Sequence, residues 1–212
     1  MSIICPTVLA LNKQDLESQL SNVEFANRIQ IDVMDGIFTA NKSIALSEIE
    51  TITEKTVDLH VMYKNPQDYL ADFVRIKPSM VIVHAESNAD IPKLASELRE
   101  HGIKTGLALL QDTSVESVSY LFPHVQHLLI FSGDLGKFGG QADLSLLIKI
   151  EQAKKITRFL EYGWDGGANK QNVSDMAQAG VDVINVGGAI QNAENPSLAY
   201  QELKNRFFNL PK

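Results

Sequence analysis

One hydrophobic rhythm runs the length of the chain. Short apolar runs, many alternating with polar residues, are each followed by a segment of helical spacing, and the unit recurs about every 25 residues. The run at 28–33 anchors the reading. Ile29, Ile31 and Val33 fall on one face of a predicted strand, and Arg28, Gln30 and Asp32 on the other. Asp35-Gly36 is turn chemistry that stops it. In a half-exposed strand the polar face would meet water. In a closed parallel barrel it would point into the mouth, where such folds build their active sites.

The pattern predicts further strands over 3–8, 57–62, 80–84, 104–110, 125–131, 158–164 and 181–186. The 80–84 run is apolar throughout, as expected when both faces are covered. Asn12, with Asp15 three residues on, caps a predicted helix whose stripe is Leu16, Leu20 and Val23. Ser47 opens a second helix through Ile49 and Ile52. Asn65-Pro66-Gln67-Asp68 starts a third, and 91–99 forms a fourth that stops at Gly102. Thr113-Ser114-Val115-Glu116 reads as a capping box before Val118 and Leu121. Helices are also predicted over 144–156, 172–179 (closed by Gly180) and 196–207. Eight strands each followed by a helix is the pattern of a (β/α)8 TIM barrel in one domain over 1–212. A doubly wound open sheet shows the same alternation.

Composition narrows the functional classes. The formal net charge is −7, which argues against nucleic-acid or anionic-membrane binding. The single cysteine, Cys5, excludes an internal disulfide and a cysteine metal cluster, and in its apolar run it reads as a buried structural thiol. No targeting signal and no spanning apolar run is found, so a cytoplasmic protein is expected. The expected partners are a small molecule and further copies of the chain, with no nucleic acid and no membrane.

Right-handed crossovers would carry every strand's C-terminal end to one rim. Gln30, Asp32, His60, His84 and Asp165 all fall at or just past such ends. Two carboxylates on opposite sides of a small pocket can take a proton from one face of a carbon and return it to the other. With His60 they offer one nitrogen and two oxygens to Zn²⁺, Fe²⁺ or Mn²⁺, which would stabilise a developing enediolate. His84 reads as a residue that orients a neighbour; His101, His124 and His127 read as surface. Gly139-Gly140, Gly166-Gly167 and Gly187-Gly188 follow strands six, seven and eight. Phosphate sites of these barrels sit after strands seven and eight, and backbone without side chains approaches an anion closely. Lys137 reads as a solvated loop residue; Thr7 can donate a hydroxyl into the pocket.

The motifs Asp32-Val33-Met34-Asp35-Gly36, Asp58-Leu59-His60-Val61-Met62 with Asn65-Pro66, Val83-His84-Ala85-Glu86, Phe138-Gly139-Gly140-Gln141, Asp165-Gly166-Gly167 and Gly187-Gly188-Ala189-Ile190 resemble ribulose-phosphate 3-epimerases, in family order over nearly the whole chain. The resemblance implies a metal-assisted interconversion of D-ribulose 5-phosphate and D-xylulose 5-phosphate. It implies Asp32 and Asp165 as acid–base pair and metal ligands, with His60 a further ligand and Gln30 at the fourth ligand position. It implies substrate contacts from Thr7, Met34, Met62, His84, Phe138 and Gln141. Gly139, Gly140, Gly166, Gly167, Gly187 and Gly188 would cradle the phosphate.

The chain departs from that pattern around one pocket. Gln30 stands where the family has a histidine ligand, which predicts a weakened or absent metal and a shift toward Mn²⁺ or Mg²⁺. Thr7 replaces a serine, Phe131 a methionine, and the last glycine pair a glycine-serine; the 132–138 loop is one residue longer. The alternative is a sugar-phosphate-binding protein that has lost its metal and its catalysis. A lyase or decarboxylase on the same barrel is disfavoured, because no lysine lies between Arg28 and Asp35.

Overall fold

A computed structural model describes residues 2–137 and 140–208. Eight parallel strands close into a barrel in chain order. They are β1 Ile3–Val8, β2 Arg28–Met34, β3 Thr56–Met62, β4 Met80–His84, β5 Lys104–Leu109, β6 His127–Phe131, β7 Glu161–Asp165 and β8 Val183–Val186. Pairing of β1 with β8, Ile3 beside Val183 and Cys5 beside Asn185, rules out the open sheet.

The period-2 alternation sorts each strand between two environments. Ile29, Ile31, Val33, Leu59, Val61, Val81 and Val83 face outward into the main core, beneath the helices. Met80, Ile82, Ala108 and Leu129 fill the barrel's middle, and Leu9, Met34 and Met62 cluster near its mouth. Buried polar residues share the interior with them: Thr7, Gln30, Asp32, Asp58, His60, His84, His127, Asp165 and Asn185. Cys5 is buried as expected, and burial pushes its thiol pKa well up.

The helices are α1 Lys13–Asn22, α2 Leu70–Ile76, α3 Ile91–Glu100, α4 Val115–Val118, α5 Ile148–Ile156, α6 Val173–Gln178, α7 Gly188–Gln191 and α8 Pro196–Phe208. Asn12 caps α1 by accepting the Asp15 amide. Among the described residues no helix is long and apolar enough to cross a membrane.

Several expectations need correction. The second predicted helix is a single 3-10 turn, Leu46–Glu48, and Ile49 is extended. β-Branched residues crowd that segment (Ile49, Thr51, Ile52, Thr53) and resist helix, and Arg75 donates to the carbonyls of Leu46 and Ile49. The cap before α4 is Ser114, which accepts the Ser117 amide, because the hydroxyl of Thr113 is taken by Glu86. β7 starts three residues later than expected, and Phe159 before it is 96% exposed. β8 starts two residues later; Asp182 ahead of it accepts the Tyr162 amide. His127 is not at the surface. It starts β6 inside the barrel's N-terminal end, where Glu161 takes its Nδ1 at 2.9 Å. The same carboxylate forms a two-pronged pair with Arg28, which also reaches Asp58 at 2.7 Å.

Candidate active site

Three strands bring the chemistry together. Asp32 on β2 lies in register with His60 on β3, and Asp165 ends β7 beside Phe131. All three are buried, and one ligand atom from each lies within 4.8 Å of the others. His60 Nδ1 is 3.0 Å from Asp32 and 3.5 Å from Asp165. Gln30, one alternation below Asp32, joins the two carboxylates directly. Its Nε2 donates to Asp32 at 2.9 Å and to Asp165 at 2.6 Å, while its Oε1 has no partner among the described residues. The aspartates thus stand closer than their strand positions suggested, since a single amide nitrogen reaches both.

The electrostatics follow from burial. Desolvation raises the Asp32 carboxyl above the usual carboxylate range; His60 and Gln30 pull against it, and neighbouring Asp165 adds to it. Desolvation alone would lower His60, but its contacts with Asp165 and Asp32 outweigh that and raise the imidazole above its ordinary range. His84, packed behind His60 at 2.9 Å, is pushed by burial down to about 4 and is neutral.

The donor set fits a divalent cation. Two carboxylate oxygens and an imidazole nitrogen suit an ion that accepts both ligand types. Turning the Gln30 amide over would bring its orphaned carbonyl oxygen to the same point as a further neutral ligand.

Above the carboxylates lies a cavity of about 200 Å³. Asp32, Asp165, Thr7, Met62 and Phe131 form its floor and walls. Gly140, Gly166, Gly167, Gly187 and Gly188, from the loops after β6, β7 and β8, also line it. Gly166 has φ +104° and its backbone abuts that of Gly133, leaving no room for a side chain. Thr7 Oγ1 is buried without a partner among the described residues. Gln30, His60 and His84 lie beneath the cavity, fully covered. Met34 is packed against Leu9 and Met62 and does not line it. Gln141 is exposed, also outside the lining, and Phe138 and Gly139 fall outside the described residues. Lys137 reaches the rim, largely solvated, 3.9 Å from Asp134.

Leu9, Asn169, Asn185 and Asn192 also line the cavity and were not singled out from sequence. Asn185 carried a usable signal: it is a polar residue on the inward period of an apolar strand, as Gln30 is. Asn169 and Asn192 sit in loops, where no periodicity marks them.

A closed parallel barrel with carboxylates at its mouth and glycine loops above them defines a class of barrel enzymes that includes sugar-phosphate enzymes. Residues 3–191 match the model of the ribulose-phosphate 3 epimerase family. Ribulose-phosphate 3-epimerase of Helicobacter pylori is 30% identical over 95% of this chain and 96% of its own length. That of Synechocystis is 31% identical over 96% and 93%. The 3-hexulose-6-phosphate synthase of Salmonella typhimurium superposes with TM-score 0.72 at 18% identity, over 97% of this chain and 98% of that one, a likeness of fold. The chain belongs to the ribulose-phosphate 3 epimerase family, and so to the carbohydrate epimerases.

Proposed function

We propose that this chain epimerises a ketose phosphate at C3, interconverting D-ribulose 5-phosphate and D-xylulose 5-phosphate or a close relative of that pair. The observation that carries the reading is the delivery of Asp32 and Asp165 into one cavity. Inversion at a carbon needs a base on one face of it and an acid on the other. The raised carboxyl of Asp32 supports a group that exchanges protons nearer neutral pH than an ordinary aspartate. Thr7, with its unpaired hydroxyl, would hold a substrate oxygen, and Met62 would press an apolar surface on the planar intermediate. The glycine backbones after β6, β7 and β8 would accept the phosphate. Asp32, His60, Asp165 and the Gln30 carbonyl would hold a divalent cation (Zn²⁺, Fe²⁺ or, with the oxygen-rich set, Mn²⁺), more weakly than a set with a second imidazole. When bound, that ion supplies positive charge to the enediolate oxygens.

The test is exchange of the C3 proton of a ketose phosphate with D₂O. Asp32→Asn and Asp165→Asn should each lower exchange by about 10²–10⁴-fold. Failure to exchange with any five- or six-carbon ketose phosphate, across several divalent metals, would sink the reading. One observation favours a second reading, a binding protein without turnover: the Gln30 amide already ties the two carboxylates together. Elemental analysis of protein purified without chelator separates the two. Stoichiometric metal counts for the enzyme; empty sites with micromolar sugar-phosphate binding and no exchange count for the binder. We also propose a homo-oligomer, supported by the exposed apolar side chains of Ile156 and Phe159, to be checked by light scattering.

A further inference from the structure

A chain of polar contacts runs behind His60, and the proton chemistry above leaves it unused. His60 Nδ1 faces the carboxylates, and its Nε2 lies 2.9 Å from His84 Nε2. On the far side of that ring, His84 Nδ1 lies 3.4 Å from Glu86 Oε2, near but not aligned as a hydrogen bond, and both buried atoms are without a hydrogen-bond partner among the described residues. The other oxygen of Glu86 accepts the Leu110 amide at 2.9 Å and the Thr113 hydroxyl. Lys149 donates to the carbonyls of Leu110, Gln111 and Thr113 and so fixes the segment that supplies those donors.

The protons in this chain have one arrangement that leaves His60 Nδ1 able to ligate. An ionised carboxylate only accepts, so Glu86 calls for a proton on His84 Nδ1. A neutral His84 then offers a lone pair at Nε2. The short nitrogen–nitrogen contact holds one proton, which therefore belongs to His60 Nε2. The proton His60 can release is the one on Nδ1, and the lone pair it uncovers points at the carboxylates. We propose that Glu86 is a positioning residue: through His84 it fixes the hydrogen-bond polarity of the histidine pair and presents the Nδ1 lone pair of His60 to the metal point. The second half of this rests on the reading of His60 as a ligand; the first half does not. The logic is that of outer-shell carboxylates that orient metal-binding histidines.

Glu86→Gln is a nearly isosteric probe. The Leu110 N–H can only donate, so it pins the amide oxygen of the new side chain and turns the amide NH₂ toward His84. The polarity of the whole chain should reverse. Long-range ¹H–¹⁵N correlation on metal-free protein with ¹⁵N-labelled histidines should show the His84 proton on Nδ1 in the unaltered chain and on Nε2 in Glu86→Gln. The dissociation constant for Mn²⁺ or Zn²⁺ should rise about 10–100-fold in that variant. Thr113→Val, which removes only a partner of the other oxygen, should keep the Nδ1 proton and the affinity. A His84 proton on Nε2 in the unaltered protein overturns the proposal, and that measurement needs no variant to fold. A reversed tautomer with unchanged metal affinity overturns the delivery to His60. If no form of the protein binds metal, the ligand reading of His60 falls, while the tautomer still decides whether Glu86 sets the polarity.

Discussion

Gln30 is the residue on which this site turns. A neutral amide occupies the position between two buried carboxylates, donating to both and leaving its oxygen idle. Gln30→His would replace a neutral oxygen ligand by an imidazole, the better donor for Zn²⁺. A metal titration should show Zn²⁺ binding tightened by about tenfold or more, a gain of roughly 1.4 kcal/mol. Equal affinity in the two proteins would mean that residue 30 is no ligand. Gln30, Asp32, His60 and Asp165 were legible in the sequence because strand alternation marks polar residues that interrupt an apolar period. Their contact was not legible: it depends on β2 and β7, which are distant in the chain, leaning over one point. His127 was misread for a related reason. A polar residue at the first position of a strand looks like a boundary, and only the partners Glu161 and Gly163 on the neighbouring strand show that it points inward.

At the scale of the element, the loop that follows β6 is held against the loop that follows β2. Thr39 donates to the Leu135 carbonyl and Asn41 to that of Gly136. Gly136 has φ +78°, and a Cβ there would come within 2.6 Å of Met34 Sδ and 2.8 Å of Thr39 Oγ1. Gly136→Ala combines a left-handed backbone with a steric conflict, a strain of about 1–3 kcal/mol. It should raise KM for the ketose phosphate about tenfold or more and speed amide exchange in residues 133–137. Unchanged exchange would show that the two loops do not depend on this contact. Strands were read well because both of their faces obey a simple period. The helices were read less well. The 46–49 segment obeys tertiary demands, with Arg75 filling its carbonyls, and α7 is a single turn whose register comes from the barrel wall.

At the scale of the whole molecule, the barrel carries two separate charge systems. One is the acidic site at the mouth. The other is Arg28 with Asp58, Glu161 and His127 at the opposite end. Arg28→Met would leave Asp58 buried without its cation. Breaking such a pair costs about 3–5 kcal/mol, here nearer 2–3 because Glu161 is partly solvated. Contact with Arg28 and His127 holds the Glu161 carboxyl well below its ordinary value despite burial. A depressed carboxyl adds stability above its unfolded pKa and loses it as pH falls toward the folded one. The deficit of Arg28→Met in urea unfolding should therefore be full at neutral pH and shrink below about 4.5. A deficit that does not change with pH would contradict this assignment. The groups acting on Asp32 are Asp165, His60 and Gln30; those acting on Asp58 are Arg28, His127 and Glu161. The two sets share no member, and Ile82, Ala108 and Leu129 lie between them on one side of the barrel. Foundation and workshop thus rest on different partners, with Cys5 between them feeling both Asp58 and Asp165. Substitutions at the mouth, Gln30 among them, can alter which ion or sugar is handled without loosening the base, so a lineage can explore new chemistry while every ancestor along the way stays folded.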